Sequence, residues 1–474
     1  MKDISLDDAR IATEVDDSNV PRLFERGSGW VLFGTLVFAT TVGLLVQWVI
    51  LPALLPSLHA GHGLQAGGDW IGFHEDGVKL ANALASKGWR AFELRPSGNF
   101  PAGVSGVIYF ITGIQEPWVV IPLSASLFSV AVVAVFNIFC CLTSRRDAIL
   151  ALIPLVLFPG SIQFYSQAEK DVWSFTSSAL LLFIALVVAR RPRMNVTQCV
   201  SICCMVIFAA GLAWLVRPYF SSVQLAAFTC AVAFTVLDRY AGDMSLKRPY
   251  WVVFLGWCFV CMMLFATDVP SRIWPSLKNE NPSDLFHVSH RYVAPASCAR
   301  APSVVDGLLP SWARRGLDSV VSARLGMVQS TGRYAGSAID NEVCFSQPSD
   351  VIRYIPRALQ IGLFAPFPNM WLSRGTSVGA RAMRLISGGE MFAAYLLFPG
   401  IAFLLWSAGS RRWAMLAVLA FVLPIIILMA TAIPNVGTLY RMRYGYLGIL
   451  MGMGLIGLLQ LRYVACAKCW PKVR

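Results

Sequence analysis

An all-α, polytopic membrane protein is the fold class this sequence predicts, and three observations predict it. The 474 residues are 56% hydrophobic and only 14% charged, with a mean hydropathy of +0.61, which is too apolar for a soluble globular chain. Apolar runs near the roughly 20 residues needed to cross a bilayer recur along the chain, separated by short polar knots. The strict apolar–polar alternation of a membrane barrel is absent.

The first 28 residues are polar and mixed in charge, with no short apolar core leading to a small-residue cleavage site. They read as a cytoplasmic tail rather than a signal peptide. About ten spans follow, at 30–54, 118–142, 148–165, 172–189, 198–216, 221–237, 250–267, 388–407, 414–432 and 444–461. The connections SRRD (144–147), ARRPRM (189–194), DRYAGDMSLKRP (238–249) and GSRRW (409–413), with the tail LRYVACAKCWPKVR, carry clustered Arg and Lys. The positive-inside bias places them all in the cytoplasm, and an even number of spans puts both termini there. The net charge of +13 then belongs to topology and to anionic headgroups, and no basic tract interleaved with aromatics points to nucleic acid.

This divides the chain into a tail (1–28), a first transmembrane module (29–267) with an outer loop at 55–117, an extracytoplasmic segment (268–387), and a C-terminal transmembrane module with its tail (388–474). Two apolar stretches, GVSGVIYFITG (103–113) and RALQIGLFAPFPNMW (357–371), are too short and too broken by Gly or Pro to span, and are assigned as interfacial or re-entrant helices on the outer side. WARRGLDSVVSARLGMVQS (312–330) predicts an amphipathic helix in the late outer segment, which reads as a small loop domain. Pro and Gly in PLVLFPGS (154–161) and FPGI (398–401) predict kinks.

The charges collect on the outer side. The first outer loop holds Asp69, His74, Glu75, Asp76, Lys79 and Arg95; the next outer turn, YSQAEKDVWSF, holds Glu169, Lys170 and Asp171. WLVRPYF contributes Arg217, and NVGTLYRMRYGY contributes Arg441 and Arg443. Arginine in a short outer turn runs against the positive-inside bias, so an anionic ligand or paired acids should compensate it. Carboxylates beside guanidinium and ammonium groups suit transfer of a sugar from a lipid phosphate: a carboxylate takes the proton of an acceptor hydroxyl, and the cations hold the phosphate.

In layout and short motifs the chain resembles the GT-C superfamily of integral-membrane glycosyltransferases, especially the branch of aminoarabinose and protein mannosyltransferases. Glu75-Asp76, Leu80, Ala83, Leu84 and Gly88 are similar to that family's acidic pair and following helix. ELRPSGNFPAGVSGVIY, with Pro96, Pro101 and Tyr109, resembles the Pro-containing stretch leading to a Tyr, and Glu169-Lys170-Asp171 the acid-Lys-Asp turn. The match covers roughly the first 220 residues; Gly77-Val78-Lys79-Leu80 lacks the aromatic usual after the acidic pair, and Asp69 is a competing acid. The resemblance implies Asp76 as base or acceptor-positioning carboxylate, with Glu75 assisting and Asp69 as substitute. It further implies Glu169 and Asp171 as partners of acceptor or sugar hydroxyls, and Lys170 as a contact to donor phosphate. Charge and sidedness alone extend that last role to Arg217, Arg441 and Arg443.

The implied activity is inverting transfer from a polyprenyl-phosphate-linked sugar to a lipid, glycan or protein acceptor, in a bacterial inner membrane. A polymerase or ligase using lipid-diphosphate-linked glycans is the alternative. A transporter or flippase ranks third, because it calls for ionisable groups at mid-membrane depth and the charges here sit at span ends. The sequence names no certain cofactor; a divalent metal is compatible with His74 beside Glu75-Asp76, or with His287 and His290 at i, i+3. Cys298 and Cys344, the only Cys in the outer segments, are candidates for a disulfide, whereas the lone CAKC (466–469) is weak evidence for zinc or redox chemistry.

Overall fold

The computed structural model describes residues 24–190, 196–241, 250–267, 269–273, 304–329, 336–373 and 378–469. Helix α1 (Ser28–Leu45) runs on through wider π-type turns over Val46–Leu54, where Pro52 has no N–H to give to an α-helical ladder. A helical hairpin follows, α2 (Trp70–Lys87) packed on α3 (Phe100–Thr112). Then come α4 (Ile121–Leu142), the short helices α5 (Arg145–Ala151), α6 (Ile153–Val156) and α7 (Pro159–Ser166), and α8 (Lys170–Arg190). Next are α9 (Val196–Val216), α10 (Pro218–Ala241), α11 (Tyr250–Ala266) and α12 (Val269–Ile273). The segment 304–373 contributes α13 (Val304–Leu308), α14 (Ser311–Met327), α15 (Pro348–Phe364) and α16 (Pro368–Trp371), and α17 (Val378–Ser407), α18 (Arg412–Ala432) and α19 (Val436–Cys469) end the described chain.

Among the described residues seven helical stretches are long and apolar enough to cross a membrane: 28–54, 117–142, 196–216, 218–237, 381–407, 412–432 and 436–461. Helices α8 and α11 occupy two more of the expected runs. The run expected at 148–165 is not one straight helix: its parts before and after residue 157 are bent by 74°. Pro159 starts α7, and Pro at that position cannot continue the ladder from α6. The stretch 103–113 falls in the short helix α3, whereas 357–371 is divided between the end of α15, which starts at Pro348 with a reciprocal cap between Gln347 and Asp350, and α16.

The centre of the bundle follows from burial. In the most apolar windows of 117–142 and 436–461, 72% of residues are buried, against 22% in 28–54; α4 and α19 therefore lie inside and α1 at the perimeter. Helices α17 and α19 touch through glycine: a Cβ on Gly454 would strike the Leu397 carbonyl, and one on Gly400 the Gly454 carbonyl. Such close approach substitutes for the hydrophobic driving force that helix pairs lack in lipid.

The segment carrying α14 and α15 sits on the turn that leads into α19. Arg324 of α14, 1% exposed, donates to the Thr431 carbonyl at 2.9 Å and the Asp340 carbonyl at 2.7 Å, with its guanidinium 4.8 Å from the ring centres of both Phe345 and Tyr354. Ile339 donates to the Pro434 carbonyl and Val436 to that of Ser337, each at 2.9 Å. Arg357 grips Asp340 with Nε at 2.8 Å and Nη2 at 2.9 Å, and these hydrogen bonds hold the Asp340 carboxyl below its ordinary value.

Candidate functional site

Five of the sequence-selected residues meet at one end of the bundle. The turn Gln167–Glu169 delivers the chain into α8, whose first turn carries Asp171, a favourable place for a carboxylate because the free N–H groups point there. Asp171 is 2% exposed and receives two guanidiniums: Arg217, ahead of α10, at 2.7 Å, and Arg441 of α19 through Nε at 3.0 Å. Arg441 also reaches Asp69, just ahead of α2, at 2.9 Å. The result is a chain of alternating charge, Asp69–Arg441–Asp171–Arg217, that ties α2, α8, α10 and α19 together.

Glu169 lies beside this chain, 2% exposed, and neither carboxyl oxygen meets a donor among the described residues. Burial pushes its pKa up to about 8, opposed first by Arg441 and reinforced by Asp171 and Asp69. Asp171 is pushed the other way: burial would raise its pKa, but Arg217 and Arg441 outweigh it and hold the carboxyl below its ordinary value. The two aspartates and two arginines then balance, and Glu169 completes the site as a neutral acid. Lys170 is half-buried with Nζ 5.3 Å from the Phe73 ring centre, which keeps it against α2 next to the same cluster.

A cavity of about 430 Å³ opens on this cluster. Its walls include Trp70 and Arg441 on one side, Arg384 and Met370 on another, and Gln65, Gln163, Asn435 and Tyr440 between. The Trp70 indole N–H donates to the Gln65 carbonyl at 2.5 Å, and Arg441 lies 5.4 Å from the ring centre, so the ring is fixed from two sides. None of Trp70, Arg384, Gln163 and Tyr440 was singled out by the sequence. Arg384 carries the signal that flagged the others, a cation at the outer end of a span, but stands three residues before the boundary expected at 387.

Other residues selected from the sequence lie apart from the cluster. Arg443 is fully buried and faces away from the cluster: it donates to the Ile361 carbonyl at 2.6 Å and to those of Gly362 and Ala365, satisfying the orphan carbonyls that end α15. Asp76 pairs with Lys79 at 3.1 Å one turn along α2, while Glu75 is exposed; it is Asp69 that joins the arginines. His74 is buried with Nδ1 3.0 Å from the Tyr109 hydroxyl, and burial, then the neighbouring His62, lower its pKa; it locks α2 onto α3.

Among the described residues no group of three or more His, Cys, Asp or Glu side chains is arranged to hold a metal. Both Asp171 oxygens and one Asp69 oxygen already face guanidinium groups, so these acids present arginine cations rather than an open cradle. Cys344 is disulfide-bonded; Cys298, His287 and His290 lie outside the described residues.

Fold and cluster together define an all-helical polytopic membrane protein with an acid–guanidinium site at one end of its bundle, beside a cavity. No protein-family model and no curated protein matches the chain. Among solved structures it is similar to the archaeal oligosaccharyltransferase AglB from Archaeoglobus fulgidus, determined in complex with an inhibitory peptide and a dolichol-phosphate. The identity is 12% and the TM-score 0.43, over 95% of this chain and 53% of that one, so this chain spans about half the length of the protein it matches.

Proposed function

We propose that the protein is a membrane glycosyltransferase that moves a sugar from a polyprenyl-phosphate-linked donor to a lipid, glycan or protein acceptor at the extracytoplasmic face. The observation that carries this reading is the chain Asp69–Arg441–Asp171–Arg217, with Glu169 beside it and the cavity of about 430 Å³ at its edge. Asp69 is the acid with access, because 66% of its side chain is exposed while Asp171 is enclosed. In the reaction Asp69 accepts the proton of an acceptor hydroxyl, whose oxygen bonds to the anomeric carbon as the bond from that carbon to the phosphate oxygen breaks. The electron pair stays on the phosphate, and Lys170 and Arg441 stabilise it. Attack opposite the leaving group inverts the sugar carbon. Arg217 holds Asp171 ionised and thereby keeps Arg441 in place.

The test is transfer by purified protein in vesicles supplied with radiolabelled polyprenyl-phosphate sugars. Asp69→Asn is expected to lower kcat about 100-fold or more, the loss typical of a removed general base. Undiminished transfer in both Asp69→Asn and Asp76→Asn overturns the reading. Turnover of lipid-diphosphate donors only would move the protein to the polymerase or ligase class.

A further inference from the structure

Below the charged cluster lies a second, uncharged set of contacts that the proposed reaction does not use. Gln224 of α10 is fully buried, with Nε2 donating to the Ser178 hydroxyl of α8 at 2.7 Å and the Ser177 hydroxyl 3.0 Å from its Oε1. Ser178 in turn pairs with the Tyr446 hydroxyl of α19 at 2.7 Å. Ser177 also lies 2.6 Å from the Ala209 carbonyl of α9, bringing a fourth helix to the same level.

The spacing relates the two sets. Asp171 and Ser178 are seven residues apart on α8, and Arg217 and Gln224 are seven apart along α10 and its approach. Seven residues make nearly two turns, so each pair lies on one face about 10 Å apart along the axis. The contact Asp171–Arg217 is therefore repeated two turns deeper as Ser178–Gln224. Helix α19 joins both levels, with Arg441 above and Tyr446 below. Ser174 bridges them, its hydroxyl 3.4 Å from Arg217 Nη1 and its carbonyl 3.5 Å from Gln224 Nε2. Polar side chains at such depth are costly unless paired, and here they are paired across helices rather than within one.

We propose that Gln224, Ser178 and Tyr446 are positioning residues: they fix the register of α8, α10 and α19 so that Arg217 and Arg441 converge on the single carboxylate of Asp171. Without this lower level the register of α8 and α10 against α19 loses its polar contacts, and the convergence of the two guanidiniums on Asp171 rests more on their own charge. The inference rests on the glycosyltransferase reading only for its effect on rate; the geometry it describes stands without any assigned reaction.

Infrared titration of the buried carboxylic acid tests it, using the band that disappears in Glu169→Gln as the reporter. The groups facing Glu169 are Arg441, Asp171, Asp69 and Arg217, and the arginines favour its ionised form. Tyr446→Phe and Gln224→Met, which remove lower-level partners while keeping volume, are expected to raise the Glu169 midpoint by about half a pH unit or more. Ser178→Thr, which keeps the hydroxyl, should titrate as the parent does. If Gln224→Met fails to fold, Tyr446→Phe carries the test alone, since it removes one oxygen. An unchanged midpoint in Tyr446→Phe, with or without a lower Tm, overturns the proposal and leaves these residues as packing. A shifted midpoint in a protein that transfers no sugar refutes the proposed reaction and supports the clamp.

Discussion

At the residue scale the site turns on one proton. Ionising Glu169 would add a third negative charge to a buried cluster that holds two aspartates and two arginines. The folded chain binds that proton more tightly than the unfolded chain, whose value is near 4.5. The associated stability is fully present below that value and is lost as pH rises through the folded value near 8. The unfolding midpoint in detergent is therefore expected to fall as pH is raised across this window, and Glu169→Gln, which cannot ionise, to flatten the slope; a parallel slope in both proteins would contradict the assignment. Arg443 teaches the complementary lesson. Charge and sidedness gave it the same weight as Arg441, yet two residues along a helix point about 200° apart. One guanidinium thus reaches Asp171 while the other caps α15, and helical spacing already carried that distinction.

At the element scale, spans and the break at Pro159 were legible because they depend on composition along a line, whereas FPGI lies inside the unbroken helix α17. Pro159-Gly160 marked the break between α6 and α7, and the apolar runs marked nearly every long helix. The choice between Asp69 and Asp76 was not legible: they are seven residues apart and share a face of α2, so only the position of Arg441, 372 residues on, separates them. The glycines of α17 and α19 make a sharper prediction. Gly454→Leu drives a side chain into the backbone of α17 and should cost about 1–3 kcal/mol, read as a drop in Tm of several degrees. Gly389→Ala, where an added Cβ meets no atom, should leave Tm within error or slightly raised.

At the scale of the whole molecule, the cavity is where sequence reading stops. Its walls come from segments near residues 65, 163, 336, 370, 384 and 440, and no local pattern announces such an assembly. The segment carrying α14 to α16 is part of it, because Ser337 and Met370 line the cavity and Arg324 ties that segment to the turn before α19. Arg324→Met leaves the Thr431 carbonyl without its Arg324 donor, at about 1–3 kcal/mol, and the Asp340 carbonyl with the Val343 N–H alone. Faster amide exchange in 336–373, with exchange in α4 unchanged, is the expected result.

The pairing of Asp69 with Arg441 also orders events during synthesis. Chains are made from the N-terminus, so Asp69 and Asp171 are both in place long before the residue that joins them is translated. Until α19 inserts, Asp171 has only Arg217, and the growing chain carries an incomplete charge cluster at the membrane surface. Arg441 is thus the last of the four charged residues to be translated, and a nascent chain that stops before it lacks the side chain that joins Asp69 to Asp171.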